Sequence, residues 1–450
     1  MYNYDVYIQP FDERLNKIML PIKRIISENI KLSSIRTDKF KTGTLTFSLY
    51  MPLTERDYLL GLVLAGVMRR GTKDYPSMTS INRRLDELYA TTVDVQCVIH
   101  GNVMSFIISA ELLENRFVPD GTDILYETSK LMSQILLSPL IQNGVLPEAT
   151  VESEKVFVKD SLSSEINNTR FYAATRLKEL MSRDGSVRFP KLEYLLKSIG
   201  NVTAKELTDF HARLVSCSQL NIFYVGSENI DSVCDRLSHA FVGYIGATRH
   251  ALSPINAQMP REYISVTEDM PVNQGKLALG MRTGAVLGTK DCAAAVVLNE
   301  IFGASPASKL FLNVRERLGL CYYCGSSFGL LSGDLTVSSG IDVRNREAAT
   351  EEILAQFEEI KKGNVSDAEL FAARKSLEYT YAQIYDSPFS LQSFYSVREL
   401  AGIYETVEEY KQKILSVSKD EICELARQTV LDTCFFINGT LSCGEEEEYE

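Results

Sequence analysis

The sequence predicts an α+β fold of two homologous domains, each a mainly antiparallel sheet with helices packed on one side. Three observations point there. A helix opened by a hydroxyl cap, with Glu three residues on, leads into a strand that ends in Gly: Thr203 and Glu206 precede Leu220–Gly226, and Ser418 and Glu421 precede Cys434–Gly439. Ser418 follows Thr203 by 215 residues and Gly439 follows Gly226 by 213. Two units of about 220 residues therefore account for the length of 450. The third observation is a shared order of strand, buried helix, short helix and paired strands in both halves.

In the first half, Phe40–Pro52 alternates apolar and small polar residues, with Leu45, Phe47 and Leu49 on one face, and reads as a strand ended by Pro52. Thr54 caps the next segment, Glu55 and Asp57 suit a helix start, and the run to Met68 is nearly all apolar. This predicts a helix buried on most sides, ended by Gly71. A short helix over Ser80–Tyr89 follows, then strands over 92–99 and 103–110 joined by a Gly101-Asn102 turn. A long helix over 122–137 stops before Pro139, and charged helices occupy 150–165 and 169–182.

The second half repeats this order. Gln274–Arg282 is a strand, Asp291–Phe302 an apolar helix and Pro306–Arg317 a second helix. Cys321–Phe328 and Asp334–Ile341 are paired strands, followed by helices over Asn345–Lys362 and Ser366–Tyr385, the last opened by Ser366 with Glu369 at the box position. The boundary falls within 235–262, where His250 to Pro260 reads as a linker, giving domains of 1–245 and 246–450.

Composition excludes several functions. Against 59 acidic residues stand 47 basic ones, a net charge of -12, and no basic block tracks a phosphate backbone, so nucleic acid is not the expected ligand. The longest apolar runs, Leu59–Val67 and Val103–Ala110, are far short of the roughly 20 residues a bilayer helix needs. The first five residues show no secretion signal, and nine scattered cysteines read as reduced thiols, so a cytoplasmic setting is expected. The acidic run Glu445–Glu450 reads as a solvated tail.

Chemistry-bearing motifs are scarce. The four His, at 100, 211, 239 and 250, have no partner at ligand spacing, and His100 and His211 read as structural or surface residues. Cys321 and Cys324 form a Cys-x-x-Cys, but they flank Tyr322-Tyr323 in a strand rather than opening a helix, and read as packing residues. Gly-rich nucleotide loops and the Gly-x-Ser-x-Gly elbow are absent.

What remains is a resemblance. The buried helix ending Met68-Arg-Arg-Gly-Thr72, followed by Tyr75-Pro76, resembles the zinc helix of the pitrilysin, insulysin and mitochondrial processing peptidase family, and in particular its small bacterial two-domain members. Active members read His-x-x-Glu-His there, shortly before Gly-Thr. Aligned on Gly71-Thr72, the two His positions fall on Leu62 and Gly66 and the catalytic Glu on Ala65. The third zinc ligand, a Glu seven residues after a Glu like that of Glu154-Lys155, falls on Ser161. Zinc needs imidazole or carboxylate donors and hydrolysis needs a base, and these four side chains supply neither.

The second half is similar to the family's C-terminal domain through Gln274–Arg282, Ser308–Phe311 and Asn313–Tyr323. There an Arg, and a Tyr seven residues later, bind or polarise the substrate peptide; the resemblance maps them onto Arg315 and Tyr322. A guanidinium suits a peptide carbonyl or carboxylate, and a phenol can donate to the oxyanion of peptide hydrolysis. Alternatively, Arg315 makes a surface salt bridge and Tyr322 packs in its strand.

The resemblance implies a clamshell of two domains in which this chain is the non-catalytic member of a two-subunit pair. It implies no metal or cofactor here, with zinc held only by a paralogous partner, and peptide as the shared substrate. It also places the chain in a group associated with modification of elongation factor P by 5-aminopentanol, for which the residues give no chemical support. The alternatives are a structural or homodimeric scaffold and a metallopeptidase with a migrated metal site.

Overall fold

The computed structural model describes residues 20–182, 189–241, 244, 246, 252–257 and 262–441. In chain order the first half contains β1 (Ile22–Ser27), β2 (Ile30–Arg36), β3 (Thr42–Pro52), α1 (Glu55–Met68), α2 (Met78–Glu87), β4 (Thr92–His100) and β5 (Val103–Leu113). Then come α3 (Ile124–Leu137), α4 (Glu148–Asn167), α5 (Thr169–Met181), α6 (Leu192–Ser198), α7 (Ala204–Cys217), β6 (Leu220–Gly226) and α8 (Ile230–Ala240). The second half contains β7 (Ile264–Met270), β8 (Gly275–Arg282), α9 (Cys292–Asn299), β9 (Cys321–Phe328), β10 (Asp334–Ile341), α10 (Arg346–Lys362), α11 (Asp367–Gln383), α12 (Pro388–Leu400), α13 (Val407–Ser416), α14 (Lys419–Gln428) and β11 (Val430–Gly439).

These strands form two sheets, ordered β1-β2-β6-β3-β5-β4 and β7-β11-β8-β10-β9. Without the added edge strand β1 the two orders match place for place. In each, one parallel pair (β2 with β6, β7 with β11) adjoins otherwise antiparallel neighbours. This repeats the duplication at the level of topology. Residue 245 at the expected boundary and five of the eleven residues from His250 to Pro260 lie outside the described residues, as do residues 1–19 and the acidic tail.

Most expected elements are present within a few residues. The caps differ in detail. Ser366 and Ser418 each make both bonds of the capping box. Thr203 accepts from the Glu206 amide at 3.2 Å, but the Glu206 carboxylate turns away to Arg56. A fixed cation competes successfully with the weaker bond to its own backbone. The apolar helix Asp291–Phe302 is α-helical only to Asn299 and continues as a π-helical turn over Glu300–Ala304, and the next helix is π-helical over Leu310–Arg317. Gly303 lies so close to β9 that a Cβ there would come within 2.6 Å of the Ser326 amide. β1, β2, α6, α8, β7, α12 and α13 are additional to the expected elements.

The strand β3 explains how the halves are joined. Leu45, Phe47 and Leu49 enter the first core, against α1 and its neighbours. Thr44, Thr46 and Ser48 on the other face are buried too, at 5%, 2% and 6% exposure. A helix of the second half, α12, covers that face of β3 and β6, so that Leu391, Phe394 and Tyr395 share a core with Ile35, Phe223 and Val225. The exchange is mutual. Helix α5 of the first half lies on the second sheet, packing Ala173, Leu177 and Met181 against Ala278, Phe435 and Ile437. Each sheet thus has its own helices on one side, as expected, and one helix from the other half on its opposite side. Tyr172 donates to Glu268 at 2.8 Å and Arg176 pairs with the same carboxylate at 2.9 Å, which fixes α5 on its host sheet.

Candidate functional site

Helix α1 carries Leu62, Ala65 and Gly66, the three positions that the resemblance aligns with the zinc helix. Its start is set by Thr54, whose hydroxyl accepts from the Asp57 amide at 3.0 Å, and its apolar body is buried from Leu59 to Met68, Leu62 alone being half-buried. The helix ends where the chain turns at Gly71. A Cβ there would meet the Pro76 carbonyl carbon at 3.0 Å, and Thr72 exchanges backbone and side-chain bonds with Tyr75. The Gly-Thr pair and the later Tyr-Pro therefore form one tight turn beside the helix.

Leu62 packs against the first core and Ala65 is 5% exposed. At Gly66 the structure adds a residue from α4. A Cβ on Gly66 would lie 2.1 Å from Glu154 Oε2, so the carboxylate occupies the space a side chain at 66 would need. Glu154 is 3% exposed and is held by the Arg70 guanidinium at 2.5 Å. Burying a carboxylate is tolerable only with such a partner. Sequence reading marked Gly66 and Glu154 separately; only packing of α4 on α1 brings them into contact. Ser161, one turn of α4 and more beyond, is exposed.

A cavity of about 310 Å³ opens beside this contact, bounded by Gly66, Arg70, Ile81, Asp94, Glu154 and Phe157 among others, all of the first half. Arg69 spans to Asp94 on the edge strand β4 at 2.9 Å. The donor set does not fit a zinc ion. Neither His nor Cys lines the cavity, its carboxylates are engaged by arginines, and among the described residues no three His, Cys, Asp or Glu side chains cluster as ligands. His100 Nδ1 meets Ser105 Oγ at 2.8 Å and His211 Nε2 meets the Leu136 carbonyl at 2.7 Å. Burial lowers the pKa of both rings, which stand in structural hydrogen bonds.

Arg315 and Tyr322 lie at the outer edge of the second sheet. Arg315 is on the π-helical segment, its side chain 42% exposed, with the guanidinium over the Phe311 ring at 4.8 Å and 3.6 Å from Glu316. The chain then reverses at Gly319, whose φ of +60° favours glycine, and enters β9. There Ile341 pairs with Cys321 and Gly340 with Tyr323, so Tyr322 is the extra residue of a β-bulge and is 60% exposed. The strand-packing alternative does not describe this side chain. Neither residue lines the cavity beside α1.

Comparison with known proteins agrees with this geometry. Residues 201–377 match the family model described as Peptidase M16 inactive domain. The chain is 27% identical over 409 residues to the Bacillus subtilis (strain 168) protein named "Probable inactive metalloprotease YmfF", covering 90% of this chain and 95% of that one. It is 25% identical over 214 residues to the "Uncharacterized zinc protease YmxG" of the same organism, covering 46% of this chain and 52% of the relative. Among solved structures, a conserved protein from Enterococcus faecalis V583 superposes with a TM-score of 0.87 at 26% identity, over 93% of this chain and 98% of that one. A peptidase M16 inactive domain from Pseudomonas fluorescens shares the fold, with a TM-score of 0.76 at 15% identity over 94% and 98% of the two chains. No helix among the described residues is long and apolar enough to cross a membrane. In its sequence matches and its fold, the chain resembles inactive members of the M16, pitrilysin-like metallopeptidases.

Proposed function

We propose that this chain is the peptide-binding, non-catalytic subunit of a cytoplasmic processing peptidase whose zinc is carried by a paralogous partner. The observation that carries this reading is the contrast between the two halves. The first lacks every donor at its zinc-helix positions, while the second keeps both Arg315 and Tyr322 exposed, Tyr322 on the edge strand β9. The units are taken as 1–245 and 246–450, related as the two shells of a clamshell. The Arg315 guanidinium binds a carbonyl or carboxylate of the peptide, and the Tyr322 phenol donates to the oxygen on which negative charge develops. The support from relatives is that one organism has both a protein named inactive and one named a zinc protease.

The test is reconstitution with a paralogue carrying His-x-x-Glu-His. The 1:1 mixture cleaves peptide, each subunit alone does not, and Arg315→Ala or Tyr322→Phe in this chain lowers cleavage by the mixture about 100-fold, the scale of losing one transition-state donor. Complex formation with unchanged cleavage in both variants indicates a scaffold instead; stoichiometric zinc in the isolated chain indicates a migrated metal site.

A further inference from the structure

The bulge that exposes Tyr322 also changes the reading of Cys321 and Cys324. In a regular strand, residues three apart point to opposite faces. Here Cys321 pairs with Ile341 and Cys324 with Ser339, because Tyr322 is the extra residue between them. Both thiols therefore stand on the helix-facing side of β9, Cys324 buried in the second core and Cys321 half-buried at its margin. The Cys324 thiol beside it, with help from Ser339 and the Arg315 guanidinium and against burial, brings the Cys321 thiol down to about 7. Its Cys321 neighbour and burial push the Cys324 thiol up. A neighbouring thiol and an arginine thus do what a helix N-terminus does in other Cys-x-x-Cys sites.

We propose that Cys321 and Cys324 form an oxidisable dithiol whose closure by thiol–disulfide exchange repositions Tyr322. The Cys321 thiolate attacks one sulfur of a low-molecular-weight disulfide, forming a mixed disulfide and expelling the first thiolate. Cys324 then gives its proton to the departing group as its sulfur attacks that of Cys321, expelling the second. In sum, two cysteine thiols lose two electrons and two protons, and the small disulfide is reduced to two thiols. Same-face neighbours one pleat apart on a strand are about 6–7 Å apart at Cα, near the upper limit that a disulfide spans. Bond formation must therefore tighten the bulge, and Tyr322 is its apex. The consequence for peptide binding rests on the function proposed above; the dithiol chemistry does not.

The full chain is treated with oxidised glutathione at pH 7 and its peptides are mapped by mass under non-reducing conditions. In the unsubstituted protein the segment holding both cysteines becomes lighter by two hydrogens. Cys324→Ser, which keeps a hydrogen-bond donor, stops at a glutathione adduct on Cys321. With its thiol lowered, Cys321 is modified ahead of the other accessible thiols. Prior modification of Cys217, or an unsubstituted chain that stops at the adduct, overturns the dithiol. Tyrosine-ring NMR, with the Tyr322 signal assigned through Tyr322→Phe, tests the coupling: it shifts on oxidation, and an unmoved signal overturns that part. Absence of peptide binding in both redox states counts against the proposed function alone.

Discussion

At the scale of single residues, Gly66 and Glu154 determine what helix α1 can accommodate. A carboxylate with 3% exposure, fixed by Arg70, fills the position into which a side chain at 66 would grow. Gly66→Ala is therefore expected to destabilise the protein by about 2 kcal/mol, the usual scale of overpacking, in spite of alanine's higher helix propensity. Glu154→Ala leaves only the half-exposed Arg70 unpaired and opens the space. In a double-mutant cycle followed by urea unfolding, adding Glu154→Ala should recover about 1 kcal/mol of the Gly66→Ala loss. Strict additivity would show that the two sites do not compete for the same volume. The same clash explains why restoring imidazole at 66 is not a local change.

Among the elements, β3 and α12 illustrate an alternation that conceals two buried faces. Thr44 and Thr46 lie on the face opposite Leu45, Phe47 and Leu49, but α12 covers them, and neither hydroxyl has a hydrogen-bond partner among the described residues. A buried hydroxyl without a partner costs about 1–3 kcal/mol, and valine has nearly the same shape and a high strand propensity. Thr46→Val is accordingly expected to raise unfolding stability by about 1 kcal/mol, seen as a higher urea midpoint with unchanged slope. A lower midpoint would mean that the hydroxyl is satisfied in solution. The π-helical segment is likewise an element-scale effect: residues that read as an ordinary helix widen where Gly303 lets its preceding turn lie against β9.

For the whole molecule, the exchange of α5 and α12 makes two homologous units interdependent. Removing residues 246–450 would uncover Ile35, Phe223 and Val225 and leave Ala173, Leu177 and Met181 of α5 without their sheet. The isolated fragment 1–245 is expected to be aggregation-prone or to lack dispersed NMR signals, and to recover a native-like spectrum when co-expressed with 246–450. A fragment that is monomeric and fully dispersed on its own would show that the exchange is dispensable.

The sequence by itself determined the local and additive features. Capping pairs, the apolar run of α1, the alternation of the central strands and the repeat offset are set by neighbours along the chain, and they placed the duplication and most elements. The missing donors at Leu62, Ala65 and Gly66 were legible because an absent functional group stays absent in any fold. Tertiary structure alone decided the contacts between distant segments: Glu154 against Gly66, Glu206 drawn to Arg56, α12 over the threonines of β3, and the bulge that places Cys321 and Cys324 on one face. Each depends on which surfaces meet across the chain, and a one-residue change of register or a helix exchanged between halves leaves no periodic trace in the sequence.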